Sequence, residues 1–147
     1  MKLRDGMPEL EGATVWYNSE PIEKKDLIGH KPTLIHFWSV SCEICKQTMR
    51  NIHKFRNNYK NELHVIAVHM PRSEEDLDLE QIKQVAEEHD ITQPIFVDNE
   101  HRLTDAFNNH YVPSYYVFDK KGQLRHRQSG NGGMKMLEKR LNRVIGK

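Results

Sequence analysis

The only two cysteines of the chain, Cys42 and Cys45, enclose the sequence Cys-Glu-Ile-Cys. At this spacing on a helix the two sulfurs face the same way and come within reach of a disulfide bond. Cys42 is predicted at the helix N-terminus, where free backbone N–H groups and the helix dipole stabilise a thiolate. Because the thiolate is the nucleophile in disulfide exchange, the pattern predicts Cys42 as the attacking cysteine. Cys45 lies one turn further, is expected to be less exposed, and is predicted to resolve the mixed disulfide.

The residues around the cysteine pair predict a strand before it and a helix after it. Leu34–Trp38 is a short run that is apolar except for His36, as in a buried central strand. Cys42–Tyr59 carries apolar residues at helical spacing, which predicts a helix with one face in the core. A strand, a short turn and a helix that opens on two cysteines together favour a redox function over a chance pair.

Strands and helices alternate along the rest of the chain. The predicted elements after the first helix are a strand at Leu63–Met70, a helix from Ser73 to about His89, a strand at Pro94–Asp98, a brief helix capped by Asp98 and ending near Phe107, a hairpin of Tyr115–Phe118 and Gln123–Gln128, and a last helix from Met134. The acidic run Glu74–Glu80 is expected to be the solvated start of the second helix.

The N-terminal layer is predicted to contain a strand at Ala13–Tyr17 that pairs back with Ile22 as a short hairpin. Parallel strands need helical crossovers, whereas the hairpin near the C-terminus adds antiparallel pairing. The fold class is therefore α/β, with a mixed central sheet flanked by helices. The length of 147 residues predicts a single domain over 1–147.

The formal net charge of +1 gives no general attraction for nucleic acid or membranes. The first ten residues contain no apolar segment of the kind that a signal peptide needs, so we expect a soluble cytoplasmic protein. Two cysteines at redox spacing in such a chain are typical of a catalytic or metal-binding pair and not of a structural disulfide.

The order of elements, the Phe37-Trp38 pair, the cysteine pair and Val112-Pro113 together resemble the thioredoxin fold over nearly the whole chain. The insertion at about Pro71–Gln93 and the predicted N-terminal hairpin are similar to the ResA/TlpA-type branch, and the chain is most similar to a thiol-disulfide oxidoreductase type of bacilli. The resemblance implies a soluble cytosolic dithiol enzyme that reduces protein disulfides without a cofactor.

Several site residues follow from the resemblance. It assigns the nucleophile to Cys42, the resolving role to Cys45, and a redox-active disulfide to the pair. It implies a cis peptide bond at Pro113, with Val112 offering its backbone to an extended substrate. Trp38 and Ser114 are expected to contact substrate as well. The implied partners are disulfide-containing proteins and an electron donor that the sequence does not identify, and the protein is expected to act as a monomer.

Among the departures from the thioredoxin pattern, Glu43 and His36 bear on the chemistry. Glu43 repels a thiolate on Cys42 and should therefore favour a more reducing couple, so the sequence predicts a reductant. His36 stands where thioredoxin has a buried acid, and it is either the base that deprotonates Cys45 or a core histidine bonded to a neighbour.

Three other functions use the same cysteines. A zinc site needs two further ligands, and although the chain has nine histidines, no second ligand pair stands near the cysteines, so no metal is expected. A peroxiredoxin would need a proline at the position of Ile35, although Ser39 meets its requirement for Ser or Thr. A redox sensor or adaptor with a dedicated partner stays open.

Overall fold

The computed structural model describes residues 1–147. Its strands are β1 (Val15–Tyr17), β2 (Thr33–Trp38), β3 (His64–His69), β4 (Ile95–Val97), β5 (Ser114–Phe118) and β6 (Leu124–Ser129). Its helices are α1 (Lys24–Leu27), α2 (Glu43–Asn58), α3 (Leu79–Glu88), α4 (Arg102–Phe107) and α5 (Met134–Ile145), with a short 3-10 helix at Glu74–Leu77.

The six strands form one mixed sheet in the order β1-β4-β3-β2-β5-β6. Strands β2, β3 and β4 run parallel, whereas β5 pairs antiparallel with both β2 and β6. The C-terminal end of β2 therefore meets the N-terminal end of β5 at one edge of the sheet, where Phe37 lies opposite Ser114. This register brings the segment after β2 and the segment before β5 together.

The prediction of an N-terminal hairpin is wrong. Strand β1 pairs antiparallel with β4, with Val15 opposite Val97, and Ile22 belongs to no strand. Trp16 packs edge to face on Phe96, with ring centroids 5.3 Å apart. Apolar contact with β4 thus places β1 at the edge of the main sheet instead of in a separate hairpin.

Helices cover both faces of the sheet, as the sequence predicted. Ile35 and Phe37 point into a cluster shared with Leu103 and Phe107 of α4 and with the N-terminal segment. The alternate residues of β2 face α2, α3 and α5, because strand side chains point to opposite faces in turn. All six residues of β2 are buried, which explains its nearly continuous apolar run.

The insertion between β3 and β4 does contain a helix, but that helix begins later than predicted. Asp78 caps α3 by accepting hydrogen bonds from the N–H groups of Glu80 and Gln81 at 3.0 and 3.2 Å. The residues before it form the 3-10 helix instead. Asp98 caps α4, as predicted, through hydrogen bonds from the N–H groups of Leu103 and Thr104 at 3.1 and 2.8 Å. No helix of the structure has the length and apolar character of a membrane span.

Candidate active site

Cys42 and Cys45 form a disulfide at the N-terminus of α2, with their Cα atoms 5.3 Å apart. Cys42 is the N-cap of the helix, and its sulfur accepts a hydrogen bond from the N–H of Cys45 at 3.1 Å. An N–H group that points at this sulfur also stabilises it when it is a thiolate. Cys42 is 4% exposed and Cys45 is 1% exposed, so both are buried and Cys42 is the more accessible of the two.

The peptide bond between Val112 and Pro113 is cis. The loop that contains it precedes β5 and lies at the same edge of the sheet as the disulfide. Val112 packs against the apolar cluster that contains both cysteines. Neither its N–H nor its carbonyl has a hydrogen-bond partner within the protein. Free backbone groups beside the disulfide are what an added peptide strand would need.

Trp38 and Ser114 are both buried next to the disulfide and the proline loop. Trp38 is 1% exposed and packs edge to face on His69, with ring centroids 4.9 Å apart. Ser114 is buried in β5, and its hydroxyl donates to the carbonyl of Tyr111 at 2.6 Å. Trp38 thus belongs to the core beneath the site and Ser114 shapes the proline loop, and their contact with substrate stays a prediction. Tyr111 itself is 70% exposed beside that loop.

His36 is buried within a polar chain beneath α2. Arg56 donates to Oε1 of Gln93 at 2.8 Å, so the amide nitrogen of Gln93 faces Nε2 of His36 at 2.9 Å. That nitrogen of His36 therefore accepts a hydrogen bond and carries no proton. Burial, followed by the nearby His53 and Arg56, lowers the pKa of His36 to about 3. A ring with so low a pKa is a weak base, so this geometry disfavours the base role, which stays a prediction.

Glu43 lies at the first position of α2, and its side chain is 79% exposed. Lys46 approaches its carboxylate at 3.3 Å from the next turn. The lysine and the surrounding water both weaken the effect of this carboxylate on Cys42. Tuning of the thiolate by Glu43 stays a prediction, with a smaller expected effect than the sequence alone suggests.

Three residues of the site were not identified from the sequence, namely His69, Arg72 and Asp76. Nε2 of His69 accepts a hydrogen bond from the N–H of Val40 at 3.1 Å. Burial lowers the pKa of His69 to about 4, although Asp76 acts in the opposite direction, so the ring is neutral at pH 7. A histidine at the end of a strand next to the predicted cysteine turn was the available signal for this contact.

Arg72 and Asp76 both bind Ser41, the residue before Cys42. The Ser41 hydroxyl donates to Oδ2 of Asp76 at 2.7 Å and accepts from Nε of Arg72 at 3.1 Å. Asp76 is 2% exposed, although the sequence placed it in a solvated acidic run. The structure brings no three His, Cys, Asp or Glu side chains together in a way that could hold a metal ion.

Comparison with known proteins gives a family, a relative and a fold. The AhpC/TSA family matches residues 4–127. The chain is 64% identical over 145 residues to the thiol-disulfide oxidoreductase YkuV of Bacillus subtilis, which covers 99% of this chain and 97% of that protein. It is 25% identical over 129 residues to the thiol-disulfide oxidoreductase ResA of Geobacillus kaustophilus, over 81% of this chain and 71% of that one.

A solved structure supports the same conclusion about the fold. The solution structure of a thioredoxin-like protein in the oxidised form has 64% sequence identity and a TM-score of 0.91, over 99% of this chain and 98% of that chain. These comparisons confirm the predicted thioredoxin fold. They also confirm the resemblance to ResA and to a thiol-disulfide oxidoreductase of bacilli.

Proposed function

The chain belongs to the AhpC/TSA family and is a thiol-disulfide oxidoreductase, and we propose that it reduces the disulfides of protein substrates through Cys42 and Cys45. The observation that carries this proposal is the cysteine pair at the N-terminus of α2, where the sulfur of Cys42 accepts the N–H of Cys45. That contact supports Cys42 as the cysteine that becomes a thiolate and attacks.

In the first step the thiolate of Cys42 attacks one sulfur of the substrate disulfide. A bond forms between Cys42 and that sulfur, the substrate disulfide breaks, and the other substrate sulfur leaves as a thiolate that takes up a proton. The N–H groups at the start of α2 hold the negative charge on Cys42 before the attack. The product is a mixed disulfide between the enzyme and the substrate.

In the second step Cys45 loses its proton to solvent and attacks the sulfur of Cys42. The disulfide between Cys42 and Cys45 forms, and the second substrate sulfur leaves as a thiolate. The second substrate thiolate also takes up a proton from solvent, so the substrate has gained two electrons from the enzyme and two protons, and the enzyme is left in the oxidised form. An electron donor must reduce this disulfide again before the next cycle.

The backbone of Val112 is the proposed docking site for the substrate segment that carries the disulfide. Its free N–H and carbonyl can pair with an extended peptide and hold the substrate sulfur beside Cys42. Binding of this kind uses hydrogen bonds to the substrate backbone and not contacts with its side chains, so it suits many substrate sequences. Trp38 and Ser114 support the site from below and from within the loop.

Trapping tests the two cysteine roles. In Cys45→Ser the second step cannot occur, so substrates should accumulate as mixed disulfides on Cys42 that dithiothreitol releases. The matched control is Cys42→Ser, which keeps one cysteine in the pair but lacks the attacking one. Equal amounts of adducts on the two variants would contradict the assignment of roles.

The direction of the reaction is tested by insulin reduction and by the equilibrium with glutathione. A reductant should speed the precipitation of insulin in dithiothreitol, and its cysteine pair should stay largely a disulfide even in a glutathione buffer that is mostly reduced. No turnover of insulin or of a small disulfide with any reductant would instead favour a redox sensor or adaptor. Consumption of hydrogen peroxide by Cys42 alone would favour a peroxidase.

We also propose a cytoplasmic monomer. The support is the use of both cysteines in one redox pair, which leaves none for a structural disulfide. Cell fractionation and light scattering of the purified protein check the compartment and the oligomeric state.

A further inference from the structure

The segment from His69 to Asp76 binds every residue of the loop that leads into Cys42. The hydroxyl of Ser39 donates to the carbonyl of Met70, and the N–H of Val40 donates to His69. Ser41 is bound by two side chains, Arg72 and Asp76. The loop therefore has a fixed position relative to the end of β3 and the start of the insertion.

Arg72 makes its contacts with neutral groups of the loop. Its guanidinium donates to the carbonyl of Ser41 at 2.7 Å and to the hydroxyl of Ser41 at 3.1 Å. The carbonyl belongs to the peptide bond that joins Ser41 to Cys42, so the positive charge lies one residue from the attacking sulfur. No ion pair in the structure involves Arg72, and the nearest carboxylate on the loop, that of Asp76, contacts Ser41 and not the guanidinium.

Asp76 holds this arrangement from the buried side. Its Oδ2 accepts the hydroxyl of Ser41 at 2.7 Å and the N–H of Arg72 at 2.9 Å. These bonds fix the backbone of Arg72 and direct the hydroxyl of Ser41 away from the guanidinium, so that its oxygen accepts from Nε. Asp76 and Arg72 thus act together on Ser41 without touching each other through their charged ends.

The other charged groups around Cys42 contribute less. Glu43 and Lys46 on α2 form an ion pair at 3.3 Å, so their opposite charges largely offset each other, whereas Arg72, which is also exposed, has its guanidinium held on Ser41. His69 is neutral at pH 7 because burial lowers its pKa. The proline loop, residues 111–114, has no charged side chain. Arg72 and Asp76 are therefore the two charges next to the loop that no ion pair neutralises.

We propose that Arg72 is a positioning and charge-setting residue for Cys42, held on Ser41 by Asp76, and that it stabilises the Cys42 thiolate and raises the reduction potential of the cysteine pair. This inference rests on the proposed function, since it concerns the same exchange reaction. It assigns a role in the chemistry to the insertion between β3 and β4, which otherwise serves as a connection between strands.

The sign of the effect follows from the charge. A cation near Cys42 stabilises the thiolate, and a stabilised reduced form makes the couple less reducing. Loss of Arg72 should therefore raise the pKa of Cys42 and shift the glutathione equilibrium toward the disulfide. Asp76→Asn removes the negative charge but keeps a side-chain oxygen that can accept from Ser41 and from the N–H of Arg72, so Arg72 stays in place and both quantities should shift in the opposite direction. A neutral thiol does not respond to either charge, so the shift in potential should fade well below the pKa of Cys42.

The experiment compares Arg72→Gln, Asp76→Asn and Arg72→Lys with wild type, and uses Glu75→Gln as the control. Glu75 belongs to the same 3-10 helix, is exposed and makes no hydrogen bond through its side chain. Each change is placed in the Cys45→Ser protein, and the rate of reaction of Cys42 with iodoacetamide is measured from pH 5 to 10. The equilibrium with glutathione is measured at pH 6 and pH 8 in the proteins with both cysteines.

In Arg72→Gln the pH midpoint of alkylation should rise, and the equilibrium at pH 8 should move toward the disulfide by about threefold to tenfold, which is roughly 15 to 30 mV. Asp76→Asn should lower the midpoint. Arg72→Lys should stay near wild type because it keeps the charge, and Glu75→Gln should match wild type. The shift in Arg72→Gln should be smaller at pH 6 than at pH 8.

An unchanged midpoint in Arg72→Gln would overturn the proposal. A shift of the same sign in Arg72→Gln and Asp76→Asn, or an equal shift in Arg72→Lys and Arg72→Gln, would also overturn it, because each outcome shows lost packing and not lost charge. If Asp76→Asn does not fold, the comparison of the two Arg72 variants decides.

Alkylation needs no protein substrate, so this test is separate from the proposed function. A protein that fails to reduce insulin but shows the expected midpoints would contradict the proposed function and support the role of Arg72. Normal insulin reduction with unchanged pH midpoints of alkylation would support the proposed function and contradict the role of Arg72.

Discussion

Mild acid should destabilise the oxidised protein because the fold keeps two buried histidines, His36 and His69, in the neutral state. Burial lowers the pKa of His36 to about 3 and that of His69 to about 4, from an ordinary value of 6.5. Neither ring has a carboxylate bonded to it that would favour the charged form. Water in the unfolded chain restores the ordinary pKa of both rings.

The direction of the effect follows from proton binding. Above pH 6.5 neither the folded nor the unfolded chain protonates these rings, and the stability is fully present. Below pH 6.5 the histidines of the unfolded chain bind protons and those of the folded chain do not. The free energy of unfolding therefore falls until the pH reaches the pKa of each histidine in the folded state. Each histidine costs about 1.4 kcal/mol per pH unit in this range. Two histidines between pH 6.5 and 4.5 therefore remove roughly 5 kcal/mol, which is comparable with the whole stability of many domains.

Urea unfolding of the oxidised protein at pH 7, 6 and 5 measures this loss, because the disulfide keeps the redox state constant. The free energy of unfolding of wild type should fall by about 2 to 3 kcal/mol from pH 6 to pH 5. In His36→Gln the loss over the same range should be smaller than in wild type by about 1 kcal/mol, whatever the stability of this variant at pH 7. The control is His30→Gln, because His30 is exposed, and its pH dependence should match wild type.

The reasoning is refuted if His36→Gln and wild type lose the same free energy between pH 6 and pH 5. A flat profile of wild type over that range would refute it as well. His53 and His64, whose pKa values burial lowers to about 4, add a smaller part because each is only half-buried. Because His53 and His64 are present in both wild type and His36→Gln, their contribution does not mask the difference between the two proteins.

Three further predictions concern α4, the core and Glu43. Phe107→Ala should lower the free energy of unfolding by about 3 to 5 kcal/mol, measured in urea, because Phe107 is 0% exposed and packs edge to face on three rings. Asp98→Ala should cost roughly 2 to 4 kcal/mol in the same assay, since α4 loses its cap and the N–H and hydroxyl of Thr104 lose their acceptor. Glu43→Gln should change the equilibrium with glutathione by less than about threefold, because Lys46 and water already weaken its charge; a tenfold change would contradict this.

The parts of the site that depend on local sequence could be predicted without the structure. The turn from β2 into α2 is specified by residues within a few positions of Cys42, and the helix N-terminus follows from the same stretch. The cis bond at Pro113 was predicted through the resemblance to thioredoxins, because spacing alone does not distinguish cis from trans. It lies at the predicted place.

The parts that depend on distant neighbours could not be predicted. The pattern of Val15–Tyr17 indicates a strand but does not say that its partner is β4, far along the chain. Alternation in β2 places Trp38 on one face, but it does not show that His69 of β3 packs against its ring. Asp76 bonds to Ser41 across 35 positions of sequence, and nothing in an acidic run distinguishes the one carboxylate that is buried.

The two outer strands of the sheet matter for a protein whose proposed partners are extended chains. An open strand edge can pair with any exposed backbone and so begin aggregation. Here one edge is β1, which has only three residues, and the other is β6, whose exposed side chains include Arg125 and Arg127. A short edge and a charged edge both oppose unwanted pairing. Extended substrates are thereby left with the backbone beside Pro113, next to the disulfide, as the place where pairing leads to chemistry.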